Sequence, residues 1–174
     1  MRSRLSLLRA KKSVNTLDAS ARELGTTRIF KAPRELVFKV WTDPDHVGLW
    51  WGPNGFTNTI HKMDVRVGGV FTFTMHAPNG VDYPNKIIFR EVVRPERLVY
   101  DHGDPNQDEK DFFHVVVTFT AKGPKETELT MKSVFPTAEM LAEVVEKHGA
   151  REGMYQHLDR LEAYLVKVGN QYGV

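Results

Sequence analysis

The sequence predicts an α+β domain in which an antiparallel sheet of about seven strands wraps one long C-terminal helix, with two short helices after the first strand. Three observations predict it. From Phe56 to Phe135 apolar and polar residues alternate with a period of two, the mark of antiparallel strands with one face on a core and one on water. From Thr137 to about Lys167 the apolar period lengthens to about 3.6, as in an amphipathic helix. The strands come as a block before that helix, which fits α+β and not a parallel α/β sheet.

The elements follow in order. Glu23–Phe30 reads as a first strand, with Thr26, Thr27, Ile29 and Phe30 favouring extended backbone. Pro33 opens a short helix carrying Leu36, Val37, Val40 and Trp41 at helical spacing. Asp43 is placed to cap a second short helix with Pro44 at its first position, running to Trp50–Trp51 and stopped by Gly52–Pro53. About six strands follow, with Phe71, Phe73 and Met75, then Ile87 and Phe89, then Phe113, Val115, Val117 and Phe119, then Leu129, Met131 and Phe135 facing inward. Turn signals separate them at Val67–Gly69, Pro78–Gly80, Arg94–Glu96 and Gly123–Pro124. In the final helix Met140, Val144, Met154, Tyr155, Leu158, Leu161 and Leu165 share one face, and Gly149 and Gly153 interrupt it. Each interior glycine costs about 1 kcal/mol relative to alanine, which suggests a bend near His148.

Composition narrows the function classes. A chain of 174 residues suits one domain with a short tail. Without cysteine it has no disulfide, no thiolate nucleophile and no Cys-based metal site, so a reducing cytoplasm is the expected location. No apolar run approaches the roughly 20 residues of a membrane-spanning helix. The net charge of +2 is unevenly spread. Residues 1–22 carry Arg2, Arg4, Arg9, Lys11, Lys12 and Arg22 against Asp18, leaving 18 basic and 21 acidic groups in residues 23–174. That faintly acidic body offers no footprint for nucleic acid. The expected division is a disordered basic extension over 1–22 and one domain over 23–174. The extension has two readings, a targeting segment or the product of an upstream start site.

Arg28–Phe38, Trp41-Thr42-Asp43-Pro44, Trp50-Trp51-Gly52-Pro53, Met63–Gly69, Asp82-Tyr83-Pro84-Asn85, Pro95–Tyr100, Thr130-Met131 and the Glu152-Gly153…Leu158–Leu161 stretch together resemble one group. This is the activator of heat-shock protein 90 ATPase homologue-like group of the START/SRPBCC, birch-pollen-allergen-like superfamily. The resemblance runs from about residue 24 to 168 and implies the helix-grip fold, a seven-stranded sheet gripping a long C-terminal helix. It also implies a cavity between helix and sheet, because related helix-grip proteins bind lipids, sterols or polyketides and a minority catalyse cyclisation or hydrolysis. The group's name implies a co-chaperone and a stress-response setting, although the eukaryotic activator also uses a separate N-terminal domain that residues 1–23 do not resemble.

On this basis the expected function is binding of a small hydrophobic ligand, lipid-like or polyketide/aromatic. The expected ligand-binding residues are Trp51, Phe71, Phe73, Phe89, Tyr100, Phe113, Val115, Met131, Met154 and Leu158, with Tyr100 as a polar anchor. A dry, filled core reads the same apolar stripe equally well. Trp41, Trp50 and Trp51 read either as a cavity wall or lid, or as packing for the short helices. A second function is a protein-interaction module of the co-chaperone type, with chaperone or homodimer contacts through the outer sheet face or the Trp50–Trp51 loop. A third is a cavity enzyme, for which Asp64, Tyr83, Glu91, Tyr100 and His61 are ambiguous acid–base candidates.

No catalytic residue, metal ligand or cofactor is assigned. His61, His76, His114, His148 and His157 lack metal-binding spacing and read as surface or structural groups. The acidic run Asp101–Asp111 lacks the EF-hand pattern and reads as a solvated hairpin tip. No phosphate loop, nucleophile elbow or dinucleotide fingerprint occurs. The glycine pair suggests that Lys147–Gly153 either shifts to admit ligand or lets another backbone approach closely.

Overall fold

The computed structural model describes residues 21–172. Nearly all of the expected basic extension lies outside them. At Arg22 the chain is already tied to the domain, its carbonyl accepting from the Phe135 N–H at 2.9 Å.

Seven antiparallel strands form one sheet in the order β1-β7-β6-β5-β4-β3-β2. They are β1 (Glu23–Phe30), β2 (Thr57–Met63), β3 (Val70–His76), β4 (Asp82–Val93), β5 (Arg97–Gly103), β6 (Phe113–Gly123) and β7 (Glu126–Val134). From β2 to β7 each strand pairs with its successor in sequence. The first strand lies instead against the last, with Glu23 opposite Val134 and Phe30 opposite Thr127. Two short helices, α1 (Arg34–Thr42) and α2 (Pro44–Val47), make the crossing from β1 to the far edge strand β2. Asp43 caps α2, its carboxylate accepting from the Asp45 N–H at 2.9 Å. The helix ends at Val47, short of the expected Trp50, and the chain continues in a turn in which the Trp51 N–H still reaches the Val47 carbonyl at 3.1 Å.

The turn between β2 and β3 requires glycine. At Gly69 an added Cβ would lie 2.0 Å from the Asp64 carbonyl oxygen, so no side chain fits. Register breaks at Ile60/Lys62, Phe89/Glu91 and Ala121/Gly123. Such bulges increase local twist and bend the sheet. The concave face buries Phe71, Phe73, Phe89, Tyr100, Val115 and Leu129 in one core with Leu158, Leu161 and Leu165.

The expected single C-terminal helix is two: α3 (Ala138–His148) and α4 (Ala150–Tyr172). Thr137 caps α3, its hydroxyl accepting from the Met140 N–H at 3.1 Å. Gly149 ends α3 in the left-handed conformation, at φ 60° and ψ 37°. It is therefore a helix stop, where glycine is favoured, and not an interior defect. Only Gly153 is interior, its hypothetical Cβ 3.4 Å from the Pro53 ring. Helix α4 fills the sheet concavity, while α3 covers a smaller cluster of Leu24, Phe135, Leu141 and Met154.

Candidate functional site: an apolar cavity beneath the helix junction

Met154, His157, Leu158 and Leu161 recur at helical spacing on α4, and all four are buried. The upper part of this face does not meet the sheet everywhere. A cavity of about 280 Å³ remains between it, the inner ends of β5, β6 and β7, and the α3–α4 junction. Met75, Met131, Met154, Phe113 and Phe135 form much of its mainly apolar wall. Trp51, Gly52 and Pro53 close one side and His148, Gly149 and Ala150 another, with His102, Ser133 and His157 as polar elements. A more polar depression of about 370 Å³ adjoins it, sharing His102, Phe113, Phe135 and His148 and running along α3 past Glu143, Asp104 and Asp111.

Helix α4 also fixes the loop that walls the cavity. Arg160 Nη1 donates to the carbonyls of Trp51, Gly52 and Pro53 at 2.9, 3.1 and 2.9 Å, and Nη2 donates to the Phe56 carbonyl at 3.0 Å. Gln156 Oε1 accepts from the Asn54 N–H, and His157 Nδ1 accepts from the Gly52 N–H, both at 3.0 Å. The His157 ring stands edge-on to Trp51 at 4.5 Å and packs against Trp50 at 5.0 Å. It is 6% exposed, and its Nε2 is buried without a protein partner. Burial pushes its basicity down to about 3, assisted by the Arg160 and His102 charges, so the ring is neutral at ordinary pH.

His102 projects from β5 on the inward side with Tyr100, its ring 4.8 Å from Phe113. The Asn85 amide nitrogen donates to the Tyr83 carbonyl at 2.9 Å, which turns Asn85 Oδ1 toward His102 Nε2 at 2.7 Å. His102 therefore donates through Nε2 and keeps Nδ1 as an acceptor. Burial lowers its pKa to about 4.

Of the ten residues expected to bind ligand, Trp51, Phe113, Met131 and Met154 lie on the cavity wall. Phe71, Phe73, Phe89, Tyr100, Val115 and Leu158 lie in the filled core below it, where Phe71 and Phe73 stack at 4.4 Å and face Trp51 edge-on. The Tyr100 hydroxyl is buried without a partner, and burial raises its pKa far above the usual phenol value. It is not among the groups lining the cavity. The tryptophans divide between their two readings. Trp41 and Trp50 are core, with Trp50 Nε1 donating to the Val40 carbonyl at 3.0 Å, whereas Trp51 is both core and cavity wall.

The acid–base candidates are dispersed. Asp64 pairs with Arg66, Glu91 with Arg97, and His61 bonds Thr74 at the surface, while Tyr83 lines only the outer depression. Among the described residues no three His, Cys, Asp or Glu side chains converge as a metal site. The sequence reading missed the cavity roles of His102, Ser133 and His157. A periodicity signal for each was present: His102 is two residues past Tyr100, Ser133 lies between inward Met131 and Phe135, and His157 is three past Met154.

With this geometry in place, the comparisons are specific. The family model described as "Activator of Hsp90 ATPase homolog 1-like protein" matches residues 31–166. The chain belongs to this family. Solved structures of the same architecture include an Arthrobacter aurescens protein determined by NMR, at 25% identity and a TM-score of 0.78, covering 86% of this chain and 89% of that one. A Mycobacterium smegmatis protein is 26% identical with a TM-score of 0.74, covering 85% and 93%. An HSP90 activator from Plasmodium falciparum is 19% identical with a TM-score of 0.56, covering 83% and 96%, a likeness of fold. No curated protein matches the sequence. Within the described residues of this Hsp90-activator-homologue-like chain, no helix is long and apolar enough to cross a membrane.

Proposed function

We propose that this protein binds a small, mainly apolar molecule in the cavity between α4 and the sheet. The observation that carries the reading is the cavity itself: about 280 Å³ of mainly apolar, partly open space between α4, the sheet and the α3–α4 junction. Concave apolar sites with a few convergent polar groups are the usual form of ligand pockets. Trp51, Phe113, Met131 and Met154 supply apolar contact, and the adaptable methionines suit ligands of imperfect fit. Membership of a family whose fold commonly holds hydrophobic ligands supports the same reading. A chain without cysteine is at home in the reducing cytoplasm, the compartment we assign it.

Native mass spectrometry of protein purified from its own host tests the proposal, a retained apolar molecule being the expected result. The paired control is Ser133→Phe, which places a ring in the cavity. Retained ligand should disappear from this variant while its circular dichroism stays that of the wild type. Equal retention by both proteins would place the ligand elsewhere.

The co-chaperone reading rests on the family description and on the Plasmodium neighbour. Its suggested docking loop is poorly suited to the task, because Trp50 and Trp51 are 1% and 4% exposed. Stimulation of a heat-shock protein 90 ATPase by the purified chain would support it, and an unchanged ATPase rate would remove it.

A further inference from the structure

His157 lines the apolar cavity, its Nε2 lies buried beside that space, and the tautomer of the ring is fixed by its neighbour. The Gly52 backbone N–H can only donate, so the Nδ1 it reaches at 3.0 Å must be the unprotonated nitrogen. A neutral imidazole carries its single proton on the other nitrogen. Nε2 is therefore an N–H donor, and it has no protein partner. The ring cannot easily turn to resolve this, because Nδ1 is tied to Gly52 and Trp51 and Trp50 pack against it. Arg160 in turn holds the Trp51–Phe56 loop in place.

We propose that the His157 Nε2–H is the specificity anchor of the cavity, selecting apolar molecules that carry a hydrogen-bond acceptor, a carbonyl oxygen in particular, on their buried end. The inference rests on the cavity reading above and deepens it. A pure hydrocarbon would leave the donor unpaired, whereas a ketone or ester oxygen would satisfy it. A buried hydroxyl could accept the same proton but would bring a second hydrogen needing its own partner. In the present arrangement Nε2 is covered, so the oxygen reaches it only as a neighbouring side chain yields. Met75, Met131 and Met154 line the same cavity, and methionine is the apolar side chain best able to move aside.

The test compares two probes of nearly identical shape, 2-acetylnaphthalene and 2-isopropenylnaphthalene, which differ in a C=O replaced by C=CH₂. Wild-type protein should bind the ketone about tenfold more tightly, the equivalent of about 1.4 kcal/mol. His157→Asn keeps an acceptor near the Gly52 N–H, and its own amide N–H groups fall short of the Nε2 position, so the two affinities should come within about twofold. Equal affinities in the wild type, or a ketone preference that survives His157→Asn, would overturn the anchor while leaving the cavity reading intact. Binding of neither probe would overturn both. Long-range proton–nitrogen NMR on the wild type provides a check independent of the variant's folding. It should show His157 protonated at Nε2, with that proton moving downfield as the ketone is added. A proton on Nδ1 would refute the proposal directly.

Discussion

Lowering the pH from 6.5 to 5 should destabilise this protein steeply, and His157 should account for about half of the slope. In the fold, burial holds His157 neutral down to about pH 3 and His102 neutral down to about pH 4, both from an ordinary 6.5. The groups facing His157 are Arg160 and His102, which add to the effect of burial. An unfolded chain protonates both rings below 6.5, so the unfolded state binds more protons throughout this window. The contribution is fully present above 6.5 and is lost as pH falls toward the folded values. One proton per ring corresponds to about 1.4 kcal/mol per pH unit. Because an unfolded ring is already half protonated at 6.5, over one and a half units His157 alone removes about 1.5–2 kcal/mol and the pair about 3 kcal/mol, a large fraction of a typical domain's 5–15 kcal/mol. Asp101, held below the usual carboxylate range by His114 and Arg90 against the effect of its burial, acts only at lower pH. Urea unfolding followed by tryptophan fluorescence at pH 7.5, 6.5, 5.75 and 5 measures the slope. His157→Asn will be less stable at every pH, but its slope should fall to about half that of the wild type. A wild-type stability flat from pH 6.5 to 5, or a variant with an unchanged slope, would refute the reasoning.

Three further outcomes follow from the helix junction and the loop it holds. Gly149→Ala should lower stability by about 1–2 kcal/mol in urea unfolding, because φ is +60° there although nothing crowds the added carbon. Gly153→Ala should raise it by up to about 1 kcal/mol, since the position is an α4 interior and the new carbon meets only the Pro53 ring at 3.4 Å. Equal signs for the two glycines would contradict the assignment of one as a cap and the other as interior. Arg160→Met should cost about 2–4 kcal/mol and speed amide exchange across residues 51–56, because four carbonyls lose their charged donor. Protection of that loop at wild-type levels would show that Arg160 does not hold it.

The opposite signs expected at Gly149 and Gly153 show where the sequence reading stopped. Both glycines look alike in a helical pattern, each a residue of low propensity on an amphipathic stretch. What separates them is the backbone conformation at 149, which depends on where α3 must turn to cover Leu24 and Phe135. The same limit governs the site. Trp51, Phe113, Met131 and Met154 were legible as apolar residues on inward faces, but so were Phe71, Phe89 and Leu158, which fill the core. Periodicity reports which face a residue occupies and carries no information about how deep it lies along the strand or helix. The histidines were obscured for a related reason. Spacing puts His102 and His157 on inward faces but carries nothing about their chemistry, and only the partners of their nitrogens, Gly52 for His157 and Asn85 for His102, define what each can do.

By itself the sequence determined the element order, the antiparallel sheet with its inward stripe, the Asp43 cap, the start of the C-terminal helical stretch at Thr137 and the family likeness, because each is written in local spacing or in a short contiguous motif. The tertiary structure alone decided that β1 lies at the sheet edge beside β7, that the expected bend is a full helix stop at Gly149 and not at Gly153, and that a cavity survives beneath the junction. Those features arise from contacts between residues about a hundred positions apart, such as Gly52 with His157 and Arg28 with Asp159. A cavity depends on the summed shapes of all the side chains around it, and no local pattern in the chain encodes that sum.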